Sequence, residues 1–216
     1  MNSRTKKLAT LAILCAIAFV VVAVARVPVV LFLKYDPKDI VITIAGFIYG
    51  PMSAFFVSLI VSFVEMITIS GTGPIGFVMN VLSSCAFACT AAFIYKKRHT
   101  LSGAAIGLIV GSVLTVCTML LWNYFITPYY LKITREAVAE LLIPAFLPFN
   151  VLKVTANSAL TMFLYKPLVR ALRKMHVLPE STTEHVDKVN IGALLVCALI
   201  LCSCILFVLI LQGIIK

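Results

Sequence analysis

The chain has 216 residues, of which 62% are hydrophobic and 12% charged, and its formal charge is +10. Soluble domains run at about 45–50% apolar and about 25% charged, so a soluble globular fold is excluded and an all-α integral membrane protein is indicated. The basic residues flank apolar runs and form no stripe with interleaved aromatics, which argues for membrane edges rather than nucleic-acid binding.

A membrane-spanning helix needs about 20 mostly apolar residues. Leu8 to Ala25 is the first such run. It follows R-T-K-K and ends in A-V-A, similar to a signal-peptidase site. It is nevertheless longer than the core of about 7–15 residues in a signal peptide, so a retained helix is expected. Ile40 to Tyr49 and Met52 to Ile69 come next, divided by Gly50-Pro51, a turn dipeptide. The first of these two is short for a span, and its expected placement is oblique or partly in-plane. Ile75 to Tyr95, Leu101 to Phe125 and Ile143 to Leu164 follow, the last with an amphipathic extension to about Lys174. A polar linker over 176–190 leads to a final uncharged run, Ile191 to Ile215. The chain thus divides into a bundle over 1–175, the linker, and an additional transmembrane helix over 191–216.

Lys/Arg clusters set the expected orientation. Arg4, Lys6 and Lys7 precede the first segment; Lys96, Lys97 and Arg98 follow the fourth; Lys166, Arg170, Arg173 and Lys174 follow the sixth. A cytoplasmic N-terminus places all three clusters inside and the C-terminus outside. Three loops then face outward: Arg26 to Lys38, Ser70 to Pro74, and Ile126 to Leu142.

Polar groups inside apolar runs are costly and therefore informative. A lysine at the bilayer centre is penalised by about 2.5–3.5 kcal/mol, and such residues usually face a cavity or a partner. Lys153 and Glu65 are the charges within the runs, accompanied by Asn80, Asn123, Asn150 and Asn157. Two readings stand side by side. These groups join helices to one another, with Lys153 and Glu65 as an ion pair, or they converge on a small-molecule pocket in the outer half of the bundle. Pro144 and Pro148 disturb the start of the sixth helix and release backbone carbonyls there.

No chemistry is signalled. His99, His176 and His185 lie in polar linkers or on the approach to the last run, so no span supplies a general base. H-E-x-x-H and the P-loop pattern are absent from the sequence, and the seven cysteines sit in apolar runs with no C-x-x-C. A pocket without catalysis or a motor points to a binding subunit and not to an enzyme, with no cofactor expected.

Four stretches carry a resemblance to a known family. They are L-K-Y-D-P-K-D-I with G-F-I-Y-G-P, the G-P-I-G-F-V-M-N of Gly73 to Asn80, W-N-Y-F-I-T-P-Y-Y, and P-F-N-V-L-K. In this order and spacing, from about Lys6 to Lys174, they resemble the substrate-binding (S) components of energy-coupling factor (ECF) transporters, of the riboflavin-specific type. The resemblance implies a six-helix bundle holding riboflavin near the extracellular side. It implies that Asn123, Asn150 and Lys153 contact the ligand; Tyr35, Glu65 and Asn80 are further candidates for the pocket, on their position and chemistry. It implies as partners a transmembrane coupling subunit and two cytoplasmic ATPases, the coupling subunit meeting Ala12 and Ala16 of an A-x-x-x-A on the first helix. The chain departs from the family at Glu65, where a basic residue is common, in the short stretch between Asn123 and Asn150, and in the seventh span. FMN or another vitamin remains an alternative ligand, with Arg26, Lys34 and Lys38 as cations for a phosphate. A stand-alone carrier is the alternative from another class.

Overall fold

A computed structural model of the chain describes residues 3–30, 33–174 and 191–211. Helix α1 (Ser3–Ala25) leads into a short antiparallel hairpin, β1 (Val27–Val30) and β2 (Leu33–Tyr35). Helices α2 (Lys38–Tyr49), α3 (Pro51–Thr68), α4 (Gly73–Ser84) and α5 (Thr90–Lys97) follow, α4 and α5 being joined by a π-helical turn at Cys85–Cys89. Then come α6 (Leu101–Leu131), α7 (Arg135–Leu141), a second π-helical turn at Leu142–Phe146, α8 (Leu147–Lys174) and α9 (Ile191–Leu211). Each π-helical turn continues the helix on either side of it, so α4–α5 and α7–α8 act as two long rods. Five of the described segments are long and apolar enough to cross a membrane: 4–25, 51–68, 73–97, 101–131 and 135–165. Large side chains such as Ile109, Val113, Leu121 and Ile143 are exposed on their outer faces, as helices solvated by lipid require.

Two sequence expectations change. The stretch Arg26 to Lys38 is not simply a loop, because V-P-V-V pairs with L-K-Y in the register Val27 to Tyr35 and Pro28 to Lys34. Val29 and Leu33 of this hairpin are buried with Val138, Phe146, Phe149 and Leu152, so it dips into the bundle. The outward loop Ile126 to Leu142 is mostly helical: α6 continues through Pro128 to Leu131, and Lys132 in the left-handed region (φ 55°) ends it. Thr134 then accepts a hydrogen bond from the Ala137 N–H and starts α7.

The short run Ile40 to Tyr49 is a core element of the bundle. It forms α2, in which every residue from Lys38 to Phe47 is buried. A helix of 12 residues is about 18 Å long, too short to cross alone. It starts at the hairpin and ends where Lys7 sits over the Tyr49 ring, 5.5 Å from its centroid. There Phe47 packs on Tyr95, whose hydroxyl lies 2.5 Å from that of Tyr165. The main core forms around α2, with Leu14 and Ala18 of α1, Val57 and Val61 of α3, Phe87, Ala88 and Ala91 of the α4–α5 rod, and Leu108 of α6. The first helix is therefore an integral wall of the bundle.

Helix α6 meets the α4–α5 rod at backbone distance. A Cβ on Gly111 would stand 2.6 Å from the Phe87 carbonyl oxygen, and one on Gly107 would stand 2.7 Å from that of Ala91. Backbone atoms of a packed helix cannot swing aside, so small residues here set the interhelical distance. Gly111→Val is expected to lower the unfolding midpoint in detergent by an amount equivalent to about 1–3 kcal/mol or more. Gly71→Ala, with open space around it, is expected to stay near wild type in the same measurement.

Helix α9 packs on α8. Cys197, Ile200, Cys204 and Val208 recur at helical spacing on its more buried side, while Leu195, Leu199 and Leu206 are exposed. Cys204 and Val208 also reach the cluster around the hairpin. Residues 176–190, read from sequence as a polar linker, lie outside the described residues.

Candidate functional site

The polar residues of the hairpin, α3, α4, α6 and α8 meet at one end of the bundle, around a cavity of about 270 Å³. That is just under the usual range of about 300–1,000 Å³ for small-molecule sites. Its helical wall is apolar and aromatic, built from Ile75, Met79, Met119, Trp122, Ile126 and Phe149. Asn80, Asn123, Asn150 and Lys153 interrupt that wall with amides and one ammonium. The hairpin region and the turn after α3 add mostly hydrophilic residues to the lining, Arg26, Lys34, Asp36, Ser70 and Thr72, beside Leu33.

The asparagines are held by their own helices. Asn123 Nδ2 donates to the Met119 carbonyl at 2.8 Å, and its Oδ1 accepts from the Thr127 hydroxyl at 2.9 Å. Asn150 Nδ2 donates to the Phe146 carbonyl at 2.7 Å. That carbonyl ends the π-helical turn Leu142–Phe146, so the amide is anchored where the regular helix resumes. Each anchored amide keeps a second N–H that its backbone bond does not use. The side chains are thereby oriented before any ligand arrives.

From the cavity lining inward runs a buried charge network that neither expected reading contained. Glu65 is fully buried and takes Arg26 on one oxygen and Lys38 Nζ on the other, the latter at 2.5 Å. Lys38, also fully buried, is 3.8 Å from Asp36. Lys153 Nζ stands 3.6 Å from both Asp36 and Asp39. Asp39 further accepts from the Ser84 hydroxyl at 2.5 Å and from Asn157 Nδ2 at 3.4 Å, and Tyr35 donates to Asn157 Oδ1 at 2.9 Å. Arg26, Lys38 and Lys153 oppose Asp36, Asp39 and Glu65, so the network sums to zero charge. Neutral, multiply bonded clusters are the form in which buried charges are tolerated.

Lys153 and Glu65 therefore do not pair with each other; each has its own opposite partners. Of the sequence-derived candidates, Asn80, Asn123, Asn150 and Lys153 line the cavity. Glu65 and Tyr35 lie behind the lining, one neutralised by two cations and the other tied to Asn157. The extra negative charge at position 65 is thus spent on Arg26 and Lys38 rather than shown to a ligand. Ala12 and Ala16 are exposed on the outer face of α1, away from the cavity.

Burial raises the Tyr35 hydroxyl above the ordinary tyrosine range, and the Asp36 and Asp39 carboxylates add to the effect, so it stays a donor. Burial alone would raise Asp36, but Lys153, Lys38 and Arg26 outweigh it and hold the carboxyl below its ordinary value. A depressed carboxyl contributes stability that is complete above its unfolded pKa and lost as pH falls through the lower folded one. The stability difference between wild type and Asp36→Asn is therefore expected to be constant from about pH 8 to about pH 5. It should shrink only below about pH 4, as followed by thermal unfolding in detergent.

A family model for the substrate-specific component of ECF transporters matches residues 6–165. The riboflavin transporter RibU of Staphylococcus aureus (strain TCH60) is 27% identical over 181 residues, covering 80% of this chain and 95% of its own. The riboflavin transporter FmnP of Bacillus subtilis (strain 168) is 29% identical over 191 residues, covering 81% of this chain and 99% of its own. A solved S component of a bacterial ECF transporter superposes with a TM-score of 0.67 at 27% identity, over 79% of this chain and 99% of that one.

Proposed function

The chain belongs to the family of substrate-specific components of ECF transporters, and we propose that it is the riboflavin-binding component of a vitamin importer. It is a membrane-embedded transport component and not an enzyme, in keeping with the transporters it is similar to. The observation that carries the ligand reading is the convergence of Asn123, Asn150, Lys153 and Asn80 on one cavity with an aromatic, apolar wall. A flavin ring has apolar faces and an edge of carbonyl and imide groups. The wall receives the faces, while amides that both donate and accept, with an ammonium beside them, match the edge.

Glu65 and Tyr35 serve this site from behind, by holding Arg26 and Asn157 in place. The positive-inside rule favours a cytoplasmic side for Lys7, Lys96 and Lys97, which supports an extracellular opening for the cavity. Helix α9 runs back towards that side along α8, which supports an extracellular C-terminal end for this helix. The exposed Ala12 and Ala16 leave α1 a smooth face for a coupling subunit, which with two ATPases would supply the energy for uptake. A phosphorylated flavin is less well provided for, because Lys38, one of three cations considered for a phosphate, is fully buried against Glu65.

Mass spectrometry of small molecules released from the purified protein tests the reading. Riboflavin is the expected species. A different vitamin, or FMN in its place, would overturn the assignment of ligand.

A further inference from the structure

Charge is divided unevenly between the two ends of the bundle. Among the described residues, every carboxylate is at the cavity end: Asp36, Asp39 and Glu65 in the network, and Glu136 and Glu140 on α7, whose Val138 packs against the hairpin. Helix α2 leads from that end to the other, starting in the network at Lys38 and Asp39 and ending with Tyr49 beneath Lys7. Phe47, 4.5 Å from the Tyr95 ring, brings the end of α5 to the same level. Arg4, Lys6 and Lys7 of α1 and Lys96, Lys97 and Arg98 around the end of α5 are all exposed there. Among the described residues, none of the six meets a carboxylate.

The segments 4–25 and 73–97, long and apolar enough to cross a membrane, terminate at these cations, which sets them at the bilayer edge. Two of the ammonium groups rest on aromatic rings: Lys7 on Tyr49, 5.5 Å from its centroid, and Lys97 on Phe93 at 4.5 Å. Phe93 is 52% exposed within the second of those segments, so its ring faces hydrocarbon. The Lys97 stem lies along that ring and holds its charge at the level of the lipid headgroups. An acidic protein approaching through water has no access to the ring. A lipid offers a phosphate to the cations and an acyl chain to the ring at once. A phosphodiester accepts charge-assisted hydrogen bonds from ammonium and guanidinium groups, and cations unopposed by carboxylates favour a headgroup of net negative charge over a zwitterionic one. We propose that this rim binds anionic phospholipids, one of them held with its phosphate at Lys96, Lys97 and Arg98 and a chain against Phe93. The site is separate from the cavity, so it stands whether or not the ligand is riboflavin.

Phosphatidylglycerol and phosphatidylcholine share the phosphodiester and differ in net charge. Each is titrated into the detergent-solubilised full chain, and bound lipid is counted by native mass spectrometry. Wild type is expected to bind phosphatidylglycerol at least about tenfold more tightly than phosphatidylcholine, and to lose that preference in about 0.5 M ammonium acetate. Lys96→Gln, Lys97→Gln and Arg98→Gln combined are expected to weaken phosphatidylglycerol by about a hundredfold, at about fivefold for each cation, and to leave phosphatidylcholine unchanged. Lys132→Gln with Arg135→Gln, which removes exposed cations at the cavity end, is expected to match wild type. Equal affinity of wild type for the two lipids, or a preference that survives the triple substitution, overturns the proposal. Displacement of phosphatidylglycerol by an equal concentration of inorganic phosphate would show that the cations take a free anion, and overturns it too. The salt measurement needs wild type alone, so a preference that salt does not reduce refutes the proposal even if the triple variant fails to fold.

Discussion

Glu65→Leu is expected to destabilise the protein by about 3–5 kcal/mol, the scale for breaking a buried ion pair by removing one partner. Glu65 is fully buried and is the shared counter-ion of Arg26 and Lys38, so its loss leaves the network with an excess positive charge. Lys38→Met is expected to fail comparably, with an excess negative charge. The double variant restores neutrality, because Arg26 and Lys153 then face Asp36 and Asp39. It is expected to be more stable than either single variant, since apolar replacement of a whole buried pair is often neutral or favourable. Thermal unfolding midpoints in detergent read this cycle. Additive losses in the double variant would show that the charges do not act as one unit.

Asn123→Ala and Asn150→Ala are each expected to weaken riboflavin binding by about tenfold or more, and the pair together by at least about a hundredfold. Each side chain is fixed by a backbone hydrogen bond at 2.7–2.8 Å, so no reorientation is needed on binding and the whole loss falls on the ligand. Stability should fall far less than for the Glu65 variant, because the anchoring carbonyls belong to the same helices and retain their positions. Titration of riboflavin fluorescence against each purified variant measures this directly.

The amides and Lys153 were legible in the sequence for a simple reason: a polar group inside a run of lipid-compatible residues has few inexpensive explanations. The helices were legible through run length, the Gly50-Pro51 turn and the basic clusters. What escaped was depth. K-Y-D-P-K-D reads as an aqueous loop because it is charged and contains a proline, yet Asp36, Lys38 and Asp39 are all buried. The signal was present in the neighbouring element. A run from Ile40 to Tyr49 that is too short to span must begin inside the membrane, which draws the charges before it inward as well. The hairpin escaped for a related reason, since V-P-V-V looks like the frayed end of the preceding apolar helix until its pairing with L-K-Y is seen. The partners of Glu65 and Lys153 follow from those two features and were not legible without them.

Helix α9 corresponds to the seventh apolar run of the sequence. Its charge-free sequence predicted a span, and Ile191–Leu211 forms a helix against α8 whose Cys204 and Val208 reach the cluster around the hairpin. The contact is apolar and sits behind the wall that carries Phe149, so α9 thickens the bundle next to the cavity without contributing to its lining.

On the proposed function, the preorganised polar cluster between the hairpin and the long helices holds a flavin. The most direct test is titration of the purified wild-type protein with riboflavin, followed by quenching of the ligand's fluorescence. Saturable, submicromolar binding of one riboflavin per chain is expected, abolished when Asn150→Ala and Lys153→Ala are combined. Saturable binding that survives this double substitution, or no quenching by well-folded wild-type protein, would contradict it.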